Sequence, residues 1–226
     1  MKQSSHSNFM TTLAVQFRRI FGVFGLLSLA VVLAGCLSRP SMKTKTFAFS
    51  APWLTATNTA PDGCVLSIRA LQIAPPFDGR SLVYRTGEYS YERDPYAEFL
   101  SPPSQELATS ISGILSADGC FRAVVELGSA AKPDTLLEIN ISQLYGDIRK
   151  PGSPCAVLSM QLIFVKAKNG LPGNVILERN YSRRVSVDSA TAAAFMKGWN
   201  EALNEILAEV ASDFRSRENL QTDSHI

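Results

Sequence analysis

Between Thr135 and Ile148 apolar and polar residues alternate. Leu137, Ile139 and Ile141 fall on one side, and Glu138, Asn140 and Ser142 on the other. Successive side chains of a strand point to opposite faces, so this pattern predicts a strand with one buried face. Residues 156–167 repeat it, with Leu158, Met160, Leu162 and Phe164 on one side, and a third β-rich stretch covers 174–187. Pro151 to Pro154 mark the first turn. Asn169-Gly170 marks the second, extended by Pro172-Gly173. The spacing predicts an antiparallel meander of strands 136–148, 156–167 and 174–187.

A different period governs the last segment. Phe195, Trp199, Leu203, Ile206, Val210 and Phe214 recur at three or four residues, which is the apolar stripe of a helix packed on a sheet, with Asp188 or Ser189 as its cap. Lys197, Glu201, Glu205, Glu209 and Asp213 recur every four residues on another side and read as a solvated face. Upstream, Leu107, Ile111, Ile114 and Leu115 form a second helical stripe, with Ser101 as its cap, Pro102 at the first helical position and Asp118-Gly119 as its stop. Short β-rich runs lie at Lys45–Ser50, Cys64–Ile73 and Cys120–Leu127, and residues 51–63 read as a loop. Between Gln72 and Pro103, "LVYR" and "EYSY" flank Thr86-Gly87 and predict a small hairpin. The order of elements predicts a single α+β domain, a mainly antiparallel sheet with two principal helices packed on it.

The first residues change where this domain is expected to reside. Lys2, Arg18 and Arg19 precede the apolar run Ile20–Leu33, and Leu33-Ala34-Gly35-Cys36 follows as its end. That is the layout of a secretory signal, and the run is shorter than the about 20 residues a bilayer-spanning helix needs. The final tetrapeptide resembles a bacterial lipobox, in which cleavage precedes a cysteine that is then acylated. The expected organisation is a signal peptide at 1–35, a lipid-anchored tether at 36–45 starting with the acylated Cys36, a domain at 46–215 and a disordered tail at 216–226. Leu37 follows the cysteine where an aspartate would retain an enteric-type lipoprotein at the inner membrane, so the outer membrane is the expected destination.

Charge and composition then narrow the chemistry. Three of the 22 basic residues and none of the 20 acidic ones lie in residues 1–35. The remainder is close to neutral and carries no nucleic-acid footprint. The two histidines are His6 and His225, neither placed for catalysis or metal binding, and no Gly-rich phosphate loop is present. The expectation is therefore no catalytic residue, no metal and no cofactor. Its rival is a carboxylate hydrolase built from Glu88, Glu92, Asp94 and Glu98, for example with Glu88 and Glu98 as the acid pair. After lipidation Cys64, Cys120 and Cys155 remain, and one bridge fits an oxidising compartment. Three pairings are open. If the helix at 101–116 crosses between parallel strands, Cys64 and Cys120 lie at the same end of one sheet, which favours their pairing.

Taken in order, the lipobox, the "TFAFS" strand, "LSIRALQIAPPF" with the following "SLVYR", the aromatic Phe99 ahead of the helix-opening Ser101-Pro102, and a final helix centred on Trp199 resemble the ABC-type transport auxiliary lipoproteins, the group that includes paraquat-inducible protein C. The family usually has tryptophan where this chain has Phe99. The resemblance implies a non-enzymatic component of an envelope transport system that moves phospholipids or other hydrophobic molecules. Its partners would be an MCE-domain protein and the associated ABC permease and ATPase, with contact to the membrane through the N-terminal lipid and self-association into a homo-oligomer. A lipid-carrying periplasmic protein is the alternative. On this reading Tyr84, Tyr89, Tyr91 and Phe99 are the interface candidates, because tyrosine combines a large apolar area with a polar tip. The competing reading is that these rings cover the edge of the core.

Overall fold

The computed structural model of the protein describes residues 43–50, 63–126, 129, 131–168 and 171–223. The signal segment, Cys36, the loop at 51–62 and the Asn169-Gly170 turn lie outside the described residues. The elements are β1 (Lys45–Phe47), β2 (Val65–Ile73), β3 (Ser81–Arg85), β4 (Tyr91–Phe99), α1 (Pro103–Asp118), β5 (Ala123–Glu126), β6 (Thr135–Asp147), β7 (Cys155–Lys168), β8 (Leu171–Ser186) and α2 (Ala192–Asp223). This is the expected α+β fold, with one large sheet and two long helices.

β6 is the spine of the sheet. One of its edges is paired along its length with antiparallel β7, which pairs in turn with antiparallel β8, as the meander predicts. Its other edge serves two strands in succession. Leu66–Ile73 of β2 run parallel to Thr135–Ile141, and Tyr84–Arg85 of β3 run parallel to Gly146–Asp147. The interruption between them holds Pro75 and Pro76, which have no N–H to donate to a ladder. Beyond this gap the sheet forks. β5 adds to β2 in parallel, while antiparallel β4 and then parallel β1 add to β3.

A bulge sets which residues of β6 reach the core. Ile141 pairs with Met160 and Gln143 with Ser159, so Ser142 is the extra residue. Before it Leu137, Ile139 and Ile141 are buried, and after it Leu144 aligns with the buried Leu158. The inserted residue exchanges the two faces of the strand. Gly146 then lies under the Phe195 ring, where an added Cβ would come within 2.8 Å, and its neighbours Tyr145 and Asp147 take the opposite face.

The predicted stripe of α2 is buried throughout: Phe195, Trp199, Leu203, Ile206, Val210 and Phe214 are each at most 4% exposed. Gly198 brings this helix down onto β7 and β8, since a Cβ there would lie 2.6 Å from that of Ala156. Trp199 donates its indole N–H to the Tyr145 carbonyl at 3.3 Å. In α1 the stripe is Leu107, Ile111 and Leu115, and Gly119 stops the helix in the left-handed region at φ 77°.

Several boundaries differ from expectation for local reasons. Pro102, not Ser101, occupies the cap position of α1, with ψ at 130°. The following Pro103 excludes a helical conformation at the residue before it and itself opens the first turn. The cap of α2 is Thr191, whose hydroxyl accepts from the Ala194 amide at 3.3 Å, rather than Asp188 or Ser189. Pro172 and Gly173 belong to β8 instead of the preceding loop, at a register shift of the kind that tolerates proline. Glu88 to Ser90 lie in the hairpin turn, and its second strand runs on through Pro95 to Phe99. β5 is shorter than the expected strand from Cys120. α2 continues to Asp223, past the expected domain boundary at 215, because no glycine or proline follows Phe214.

Candidate functional site

The hairpin of β3 and β4 carries the aromatic residues singled out in the sequence. The structure divides them into three environments. Phe99 is 2% exposed, stacked on Phe49 at 5.8 Å and tilted against Trp199 at 6.2 Å. It is a core residue, which corrects its expected place on a surface: position 99 closes β4 on the same side as the buried Ala97. Tyr84 is half-buried against Phe195, with centroids 5.3 Å apart, and its hydroxyl donates to Asp94 Oδ2 at 2.8 Å. Burial, then the hydrogen bond and charge of Asp94, push this phenol above its ordinary range, so it remains a donor. Tyr89 sits in the turn and is 88% exposed.

Tyr91 lies between these extremes. Its ring meets Phe77 and Tyr145 edge-on, at 5.8 and 5.5 Å, while one side remains open to solvent. The Arg85 guanidinium lies 5.6 Å from its centroid, within cation–π range. Arg85 also donates to the carbonyls of Gly87 and Glu88 and so fastens the turn to β3. Farther along, Tyr96 of β4 and Leu100 just after the strand are exposed as well. The sequence reading passed over Tyr96. The available signal was its position directly after Pro95, a residue that breaks the ladder and leaves its neighbour turned outward.

Two of the four carboxylates of the rival catalytic reading, Asp94 and Glu98, are engaged by separate partners. Glu98 pairs with Arg80 at 2.8 Å, and Asp94 binds the Tyr84 hydroxyl and the Tyr96 amide. The groove of about 290 Å³ between β2 and α1 lies elsewhere, lined by residues including Ile68, Leu71, Ala108 and Thr109. Among the described residues no group of three or more His, Cys, Asp or Glu is placed to hold a metal ion, and no helix is long and apolar enough to cross a membrane.

A second polar cluster lies at the hairpin end of β6, on the side of the sheet away from α2. Asp147 is 5% exposed and accepts from Arg149 Nε and Nη2 at 2.9 and 2.7 Å and from Arg184 Nη2 at 2.7 Å. These hydrogen bonds, those of Arg149 first, outweigh its burial and hold the carboxyl well below the usual carboxylate range. The acidic stripe of α2 also finds partners. Arg183 of β8 pairs with both Glu205 and Glu209, and Asp213 accepts from the Tyr181 hydroxyl at 2.8 Å.

The cysteines are now placed. β2 and β5 are parallel neighbours, and the Arg122 amide donates to the Cys64 carbonyl at 3.0 Å. Cys64 and Cys120 therefore lie at the same end of the sheet. Cys155 pairs in register with Asp147, whereas β2 begins opposite Thr135. At about 3.3 Å per residue this separation far exceeds the about 7 Å limit for bridging Cα atoms.

Comparison with known proteins agrees with this architecture. A Xanthomonas campestris protein, XCC0632, superposes with a TM-score of 0.59 at 16% identity, covering 82% of this chain and 98% of that one. A second solved structure, of an uncharacterized protein, gives a TM-score of 0.56 at 16% identity, over 75% and 99% of the two chains. At this identity the likeness concerns the fold. No curated protein matches. The family description "ABC-type transport auxiliary lipoprotein component" matches residues 47–211, from the end of β1 to the last turns of the buried stripe of α2. The chain belongs to the ABC-type transport auxiliary lipoprotein components.

Proposed function

We propose that this chain is the lipid-anchored periplasmic component of an MCE/ABC-type envelope transport system that moves phospholipids or other hydrophobic molecules between membranes. It acts without catalysis, by docking to the machinery through the β3–β4 hairpin. Family membership supports the association with ABC-type transport and the lipoprotein character. The single observation that carries the docking surface is Tyr89, 88% exposed at the tip of a hairpin whose Tyr84 and Tyr91 are held by Phe195, Phe77 and Tyr145. A large exposed aromatic on a preorganised support is the profile of an interface anchor. The partner is an MCE-domain protein, and copies of this chain assemble beside it.

Cys36 is the anchoring residue in this reading and holds the domain at the periplasmic face of the outer membrane. Cys36→Ser is expected to leave an uncleaved precursor without lipid by intact mass, and a soluble product cut at another position contradicts the anchor. A photo-crosslinking residue at position 89 in intact envelopes tests the partner. Recovery of an MCE-domain protein is the expected result, and crosslinks confined to unrelated envelope proteins overturn the reading.

A further inference from the structure

Strand register gathers an excess of guanidinium charge at one place. Tyr91 pairs with Arg85 between β4 and β3, and Arg85 pairs with Asp147 between β3 and β6. Tyr145 and Arg184 share a register partner, Val157, on the strand between them. The pleat puts these residues on one face of the sheet, the face away from α2. Arg149 joins them from the end of β6 through its paired hydrogen bonds to Asp147.

Within this set three guanidiniums face one carboxylate. Asp147 is nearly buried and orients Arg149 and Arg184, which remain 34% and 48% exposed. Arg149 uses Nε and Nη2 for Asp147, and Arg184 uses Nη2 alone, so N–H groups on both stay available to solvent. Among the described residues Arg85 hydrogen-bonds to uncharged oxygens only, the carbonyls of Gly87 and Glu88 and the Tyr145 hydroxyl. Its side chain is also braced over Tyr91 and Tyr145, 5.6 and 6.0 Å from their centroids. The cluster thus combines a surplus of two positive charges, planar donors fixed in direction, and an aromatic floor. A structural ion pair alone needs one arginine for Asp147. Guanidinium forks match tetrahedral oxyanions, which accept from several donors at once.

We infer that Arg85, Arg149 and Arg184 form a binding site for a phosphate group, either free phosphate or the phosphodiester of a lipid headgroup. Isothermal titration of the full chain in non-ionic detergent tests this with two probes, inorganic phosphate and a short-chain phosphatidylglycerol. Saturable single-site binding is expected, weakened at least about tenfold in Arg85→Gln and in Arg184→Gln and unchanged in Arg215→Gln, which alters an arginine paired with Asp118. Arg85→Gln leaves both guanidinium contacts of Asp147 in place and so separates binding from folding, with the melting temperature as the check. Tighter binding of the lipid identifies the headgroup as the source, and equal or tighter binding of inorganic phosphate identifies the free ion. Absence of saturable binding to either probe, or equal affinities in the wild type and both cluster variants, overturns the site.

Discussion

The backbone amide of Phe49 donates to Glu106 Oε2 at 3.0 Å, joining the segment after β1 to the first turns of α1 across 57 positions of sequence. The other oxygen of Glu106 accepts from the Ser101 amide at 2.6 Å. One side chain therefore satisfies two backbone donors near a helix start that carries two prolines and no side-chain cap. Glu106→Ala is expected to destabilise the domain by about 1–3 kcal/mol through the orphaned amides. Glu106→Gln, which keeps one acceptor oxygen, should fall between the variant and the wild type. Urea unfolding at constant m-value checks both, and equal midpoints for all three proteins contradict the role.

Gly198 offers a test of the helix seat. Alanine is favoured over glycine in a helix interior by about 1 kcal/mol. Here the added carbon would lie 2.6 Å from Ala156 Cβ and 2.8 Å from Val187 Cγ1, and overpacking costs about 1–3 kcal/mol. Gly198→Ala is expected to lower the melting temperature despite the gain in propensity. A rise in melting temperature shows that the strands yield to the helix.

Asp147 makes acid stability specific. Its carboxyl is depressed in the folded state by the arginines, so it contributes stability that is fully present above the unfolded carboxylate pKa of about 3.9 and is lost as pH falls through the folded value. Asp147→Asn removes this contribution at pH 7, at a cost of about 1.5–3 kcal/mol for charge-assisted hydrogen bonds. The variant should also show a shallower decline in unfolding free energy below pH 4. Parallel acid limbs for the two proteins contradict the assignment.

Tyr89 and Phe99 should separate surface from core. Phe99→Ala is expected to cost about 3–5 kcal/mol of stability. Tyr89→Ala should stay within about 0.5 kcal/mol of the wild type, as for other exposed positions, yet weaken association by about 2 kcal/mol or more. Thermal melts paired with analytical ultracentrifugation, with and without the partner, read both quantities. A large stability loss at Tyr89 with unchanged assembly relocates the docking surface.

The parallel pairing of β2 and β5 supports a proposed bridge between Cys64 and Cys120 over either pairing with Cys155. Peptide mapping of protein from the oxidising envelope, without reductant, is expected to find the Cys64–Cys120 pair. A bridge that contains Cys155 contradicts the strand order.

Periodicity carried much of this fold. The stripe from Phe195 to Phe214 and the alternation at Leu137–Ile141 each state one period and one buried face, and both faces are buried as read. What was illegible is where a period changes. The bulge at Ser142 leaves no composition signal, yet it sends Tyr145 and Asp147 to the side of the sheet where Arg85 and Arg184 meet them. The reading of Phe99 failed for a related reason. An aromatic in a segment rich in Tyr, Glu and Arg looks like surface until the stacking of β1 beside β4 places Phe49 over it. Arg183 likewise relieves the acidic stripe from the preceding strand β8, which i to i+4 counting along one helix cannot show.

The fork in the sheet divides the molecule into units of unequal endurance. The meander shares a long ladder along β6, β7 and β8, whereas among the described residues the arm of β1, β4 and β3 shares two register pairs with β6, Tyr84–Gly146 and Arg85–Asp147. That arm is suspended from α2 chiefly by ring contacts, Tyr84 on Phe195 at one end and Phe99 on Trp199 at the other. Amide hydrogens of the arm would then exchange through partial openings that leave the meander closed. Whatever seizes the hairpin tip would pull on the element that can yield first, while the helices and long strands hold their shape behind it.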